Sequence, residues 1–260
     1  LNSNWKGGGT GADDPTIRPL LRSNTVTTTR TISVANTKTL TIQDIDLQDI
    51  TGSGLGTITG TRVGDCGGNT NAGCSAPKTV YAGGIIGNKY WYNNIWSATV
   101  ETSDAARTAA CNINNVPLAQ DTAIFDNYST PDVGYAVFME LLPICNINTS
   151  ALSNSLMMEY ANIPGMMYGS WDFTGTGVYA QQGSERTVTF DARVRNEASG
   201  SLVINATSSH ITWAGFSFAI DSYGGTVQLA SALTHTGTFT LTGGTFDLNG
   251  QTLTTHIFSS

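Results

Sequence analysis

A four-residue pattern recurs along this chain: Thr or Ser, apolar, any residue, apolar. It occurs as Thr31-Ile32-Ser33-Val34, Thr39-Leu40-Thr41-Ile42, Thr187-Val188-Thr189-Phe190 and Ser201-Leu202-Val203-Ile204. It returns as Thr226-Val227-Gln228-Leu229, Thr238-Phe239-Thr240-Leu241 and Thr245-Phe246-Asp247-Leu248, followed by Thr252-Leu253-Thr254. Successive side chains of a strand point to opposite faces, so each copy presents one apolar and one polar face. Gly243-Gly244 and Asn249-Gly250 separate the last copies and are turn signals. The fold class is therefore all-β. A hairpin meander, a β-sandwich or jelly roll with long loops, and a β-solenoid all accommodate such spacing. The solenoid, a parallel β-helix-like stack with rungs of about 20–25 residues and an irregular, loop-rich middle, is the preferred reading, because threonine ladders and Asn-Gly corners suit stacked rungs.

Composition narrows the function classes. Hydrophobic residues are 40% of the 260, enough for a sizeable core, and charged residues only 12%, about half the usual share. The surface must then be built from Thr, Ser, Asn, Gln and Gly, as on many proteins that live outside cells. The net charge is −7 with 12 Lys+Arg, so no basic patch tracks a phosphate backbone and nucleic-acid binding is not expected. No apolar run approaches the roughly 18 residues of a membrane span. The chain starts at Leu1 without a signal-like segment and stops in strand-like Ile257-Phe258-Ser259-Ser260, which suggests processing or a fragment.

Four regions divide the chain: an extended arm over 1–30, a β-repeat region over 31–65, a loop-rich region over 66–170, and a second β-repeat region over 171–260. The arm includes the Gly-rich Gly7 to Gly11 segment and the Asp13-Asp14-Pro15 turn. Within the loop-rich region, Thr102–Ala110 is the best short helix, with Thr102 or Ser103 as N-cap. Four of five methionines fall between Met157 and Met167 and suit an irregular core or an adaptable contact surface. The four cysteines allow three pairings. Cys66–Cys74, across a short Gly/Asn loop, and Cys111–Cys145 are the expected disulfides, and they would imply an oxidising compartment. Four free thiols are the alternative. With no Cys-x-x-Cys and three His, a zinc site is disfavoured.

Gly225 to Leu229, with the segment GTFTLTGGTFDLNGQTLT from Gly237 to Thr254, resembles the repeated strands of large phage virion-associated proteins and bacterial surface adhesins. Val116 to Asp126 (VPLAQDTAIFD) is similar to a segment that precedes such repeats. The resemblance covers about half the chain and rests on low-complexity motifs. It implies a fibre, decoration or adhesin role on an oligomeric assembly, and it transfers no catalytic residue.

Candidate chemistry is sparse. No Gly-x-Ser-x-Gly elbow accompanies His210, His235 and His256, which all sit in Thr/Ser-rich strand material. Carboxylates cluster at Asp44/Asp46/Asp49, Asp121/Asp126 and Asp13/Asp14. In Asp44-Ile45-Asp46, alternation places both carboxylates on one solvent face of a strand, with a weak calcium site as the functional alternative. Arg193 and Arg195 near Asp191 are the nearest approach to a β-helix lyase constellation. Gly52-Ser53-Gly54-Leu55-Gly56 lacks a following Lys-Ser/Thr and reads as a turn. Asn127, Asn148 and Asn205 begin N-glycosylation patterns, which matter only in a eukaryotic or archaeal source.

The sequence thus points to a non-enzymatic structural or adhesive surface protein: a virion fibre, decoration or filament segment, extracellular or on a virion surface. Its expected partners are copies of itself or other virion or filament proteins, with no cofactor and no metal. One alternative is a carbohydrate-binding adhesin with Trp91, Trp96 and Trp171 as stacking platforms, against their ordinary role in core packing. Another is a polysaccharide-degrading β-helix enzyme.

Overall fold

In a computed structural model of the chain, the described residues are 4–6, 18–25, 28–87, 89–129, 135–138, 144–153, 156–159, 165–175, 177–180, 186–190, 201–207 and 216–260. The chain winds as a β-solenoid of about eight turns. Every described strand pairing is parallel except that of Thr79–Ala82 with Trp96–Ser97. Most rungs repeat every 18 to 25 residues, as cross-rung hydrogen bonds show; the rung joining Ser170 to Val203 spans 33.

The alternating pattern explains why rungs stack. Parallel strands in register put like positions above one another, so one inward column reads Val80, Ala123, Ile147, Trp171, Ile204, Leu229. All six are at most 1% exposed. A second column stacks Phe218, Phe239 and Phe258, with ring centroids 6.4 and 5.8 Å apart. Each large side chain removed from water in this way contributes about 1.5–3 kcal/mol, and an isolated rung has nothing to bury its apolar face against.

The sheet that carries the first column runs from Thr79–Ala82 through Thr122–Ile124, Asn146–Asn148, Trp171–Asp172 and Ser201–Asn205 into Phe216–Leu229. It crosses the expected 170/171 boundary without interruption, so the region read as loop-rich is largely part of the stack. Its strands are only two to four residues long there, too short to register as periodic runs in the sequence. The expected helix forms as Asp104–Ala110, with the Ser103 side chain accepting a hydrogen bond from Ala106 N. It is a side branch, and its Arg107 is fully buried: the guanidinium bonds Ala82 O, Glu101 O and Asp126, and lies 5.0 Å from the Tyr81 ring centroid.

An N-terminal stack has its own core of Val34, Leu40, Ile42, Ile45, Leu47, Ile50, Val63 and Ala72. Here Thr39–Gln48 pairs with Thr57–Asp65, and Arg30–Val34 with Ile50–Gly54. Part of the expected arm belongs to this stack: Asn4–Lys6 and Leu20–Arg22 both pair with Thr39–Gln48. The Gly7 to Gly11 and Asp13-Asp14 segments lie outside the described residues. The joint to the main solenoid is polar. Arg18 donates to Pro117 O, Arg62 to Asn114 Oδ1, and Gln120 to Val63 O and Ser75 O. The apolar contact near this joint is a small cluster of Cys66, Ala119 and Tyr168.

Asp44 and Asp46 are not on a solvent face; both are fully buried. Asp44 has φ +53° and its neighbour in the next rung, Arg62, has φ +50°. A residue in the left-handed region turns the chain, and the strict alternation on which the solvent-face reading rested is lost there. Arg62 donates to both oxygens of Asp44 at 2.6 and 2.8 Å, and Arg18 Nε to those of Asp46 at 3.1 and 3.2 Å. Gly64 lies beside Asp46 in the next strand, where a methyl group would occupy the space of the Asp46 carboxylate.

Candidate functional site

Several expected site residues are interior. Trp91, Trp96 and Trp171 are 0, 0 and 1% exposed, so they are not stacking platforms but core. Trp91 and Trp96 meet edge to face at 4.7 Å, and Trp96 Nε1 donates to Trp91 O. Trp171 packs on Phe173 at 5.0 Å and Phe218 at 6.0 Å. Aromatic rings remove more apolar surface than any other side chain, and the solenoid lumen takes them.

The expected disulfides do not form; all four cysteines are free thiols. Cys66 packs with Ala119 and Tyr168, whereas Cys74 lies against the N-terminal core. The short intervening loop climbs to the next rung and does not close on itself: Asp49 N bonds Gly67 O, and Ser75 N bonds Val63 O. Cys111 sits beside the helix, its Sγ 3.2 Å from Arg107 O, while Cys145 is buried in the main core. Burial, with Asp65 nearby, pushes the Cys74 thiol up to about 12, so it is a poor nucleophile. Free thiols carry no implication of an oxidising compartment.

The ionisable residues are engaged in structure. Asp44 and Asp46 hold arginines, Asp49 is buried, and among the described residues no group of three or more His, Cys, Asp or Glu is placed to hold a metal. Asp121 is buried and accepts from Lys78 N and Leu118 N at 2.9 Å, tying two rungs; Asp126 pairs with Arg107. His235 is buried among aromatic rings, 4.9 Å from Phe218; His256 is exposed. His210, Asp191, Arg193 and Arg195 lie outside the described residues.

Burial raises the carboxyl of Asp46, with Arg18 acting in opposition, and raises that of Asp121 against its two backbone N–H bonds and Lys78. A carboxyl whose folded-state pKa is raised binds its proton more readily when folded. Its ionised form penalises folding at neutral pH, and the penalty fades as pH falls toward the ordinary carboxylate range. Burial lowers Lys78, whose penalty fades in the opposite direction, as pH rises. Protonating Asp46 would also leave Arg18 without its counter-charge, so Asp121 gives the cleaner readout: relative to an Asp121→Asn variant, the parent's melting midpoint should gain as pH drops from neutral into the mildly acidic range. A variant profile parallel to the parent's over that window would contradict the raised Asp121 carboxyl.

Much of what remains available on the surface is hydroxyl-rich, with few charges such as Arg22, Arg30 and Lys38. Outward rows of the N-terminal stack pair Thr39 with Thr57 and Thr41 with Thr59, and Thr31, Thr51 and Thr70 align across three rungs. Between these rows lies a groove of about 380 Å³ lined by Gly52, Ser53, Gly54, Gly56, Thr57, Ile58, Asn71 and Gly73. The Gly52–Gly56 segment read as a turn supplies half of it, from the end of strand Ile50–Gly54 and the bend beyond. Asn71, at φ +50°, supplies the opposite rim from the third rung. Sequence reasoning missed Ser53, Thr57 and Asn71 because the groove exists only once three rungs align. At the far end of the molecule, Ile257 and Phe258 are 50 and 54% exposed on the last described rung. Comparison of the chain with family models, with curated proteins and with solved structures finds no match.

Proposed function

We propose that this chain is a structural and adhesive segment of an extracellular or virion-surface assembly of the fibre, decoration or filament type, without substrate turnover. The observation that carries the reading is the unbroken inward column from Val80 to Leu229, clothed outside by Thr, Ser and Asn. A stack of this kind resists local opening because each rung buries its neighbours, and a surface poor in charge suits contact with neighbours or with neutral surfaces. The partners in this reading are copies of the chain or other proteins of the assembly. In the 260-residue chain Phe258 continues the aromatic column, Ile257 and Phe258 are exposed, and among the described residues strand Ile257–Ser259 pairs with Thr238–Asp247 on one side only, which gives a self-association test a defined surface to alter.

Sedimentation tests the assembly. The 260-residue chain is expected to self-associate with rising concentration, and Ile257→Lys and Phe258→Lys together should return it to monomer, with a modest loss of melting midpoint from the Phe239–Phe258 stack and no loss of strand content by circular dichroism. A parent chain that stays monomeric at every accessible concentration would count against the fibre-type role.

A further inference from the structure

We infer that the groove beside strand Ile50–Gly54 is a binding site for a neutral, hydroxyl-rich ligand, a pyranose unit of a surface polysaccharide; this rests on the adhesive reading and gives it a site. Its size of about 380 Å³ is at the small end of ligand pockets, enough for one or two sugar rings. No ionisable side chain lines it, so it offers nothing to offset the desolvation of a charged ligand. Ser53, Thr57 and Asn71 line it and are all exposed, and their side chains make no hydrogen bond among the described residues. Most other polar side chains of this stack are committed, as Asn69 is to Leu47 O and Asp65, and Arg62 is to Asp44. Two hydroxyls and a carboxamide supply both donors and acceptors, the complement that sugar hydroxyls require.

The floor is bare backbone for a packing reason. A side chain at Gly52 would meet Asn71 O, one at Gly54 would meet Val34 O, and one at Gly56 would meet Ala35 O. The glycines let rungs approach closely, and Gly52 N and Gly56 N are already bonded to Thr70 O and Val34 O, so recognition falls to the three polar side chains. Ile58 in the lining provides apolar surface for the C–H face of a sugar ring. A single shallow site binds weakly. Repetition of the chain in an assembly would raise its avidity without any new contact.

The test is an amide-resolved NMR titration of the whole chain with the methyl pyranosides of glucose, galactose and N-acetylglucosamine, and with an anionic sugar, glucuronic acid, as comparison. At least one neutral pyranoside should shift the amides of Ser53, Thr57 and Asn71, and glucuronic acid should shift them less. Asn71→Gly removes the carboxamide while keeping a residue at ease at positive φ, and Thr57→Val removes a hydroxyl at nearly constant shape. Each should weaken binding about five- to tenfold at an unchanged melting midpoint. No shift with any neutral sugar, equal or stronger shifts with glucuronic acid, or shifts indifferent to both substitutions would each overturn the site. If a sugar binds elsewhere on the chain, the adhesive reading stands and the groove falls; if the chain assembles but binds no sugar, the structural reading stands alone.

Discussion

Replacing Trp171 by alanine is expected to lower the unfolding free energy by about 3–5 kcal/mol. Trp171 occupies the middle of the inward column, with Ile147 in the rung on one side and Ile204 in the rung on the other. It also packs on Phe173 and Phe218, and its indole N–H points to Met167 Sδ at 3.2 Å. Truncation would leave a cavity that the neighbouring backbones, fixed by strand pairing above and below, cannot close. Domains of this size are typically stable by about 5–15 kcal/mol, so the loss is a large fraction of the total. Urea unfolding followed by circular dichroism is the measurement, with Thr59→Ala on the outer face as comparison, expected within about 0.5 kcal/mol of the parent. Equal midpoints for the two variants would mean that Trp171 is not a core residue.

Asp46→Ala is expected to cost a similar amount, about 3–5 kcal/mol, for an electrostatic reason. The Arg18 side chain is 1% exposed and Asp46 is fully buried. Removing the carboxylate leaves a buried guanidinium without its counter-charge, still donating to Pro117 O. The pair itself is worth far less than this, because burying both charges cost most of what their attraction returns. The double variant Arg18→Met/Asp46→Leu should therefore recover much of the loss, and the cycle of single and double variants measures the coupling. Losses that simply add in the double variant would show that the two residues act independently. Because Arg18 also reaches Pro117 in the main solenoid, Asp46→Ala should loosen the joint between the two stacks, read as earlier proteolysis near residues 66–78.

The misreading of Asp46 shows where periodicity stops working. Strand parity was legible over Thr39 to Gln43, where Leu40 and Ile42 are buried and Thr39 is exposed. It was lost at Asp44, because a single left-handed residue reorients the rest of the strand, and Ile45 and Leu47 then take the inward positions. Nothing in a run of Asp, Ile and Asp announces that bend. The tryptophans and cysteines misled for a related reason. Tyr90-Trp91-Tyr92 reads as an exposed aromatic cluster, yet the neighbours that bury Trp91 include Phe125, on the adjacent rung and beyond the helical side branch in sequence. Cys66 and Cys74 are near in sequence, but the rung geometry carries one to the joint and the other to the N-terminal core.

Properties that depend on adjacent residues could be read directly from the amino-acid order. Alternating tetrads specify strands with one apolar face, Gly and Asn mark where rungs turn, and Ser103 with the alanine-rich run after it starts the short helix. Scarce charge and abundant Thr, Ser and Asn already specified an exterior suited to contact. Properties that depend on residues about twenty positions apart took shape only in the folded stack. These are the continuity of the sheet through 79–172, the burial of Asp44 and Asp46 against Arg62 and Arg18, the separation of the thiols, and the alignment of Ser53, Thr57 and Asn71 around one groove. A solenoid makes its energetic contacts between rungs. Each rung's sequence states which residues want to be inside, but only its register against the next rung states what they meet there.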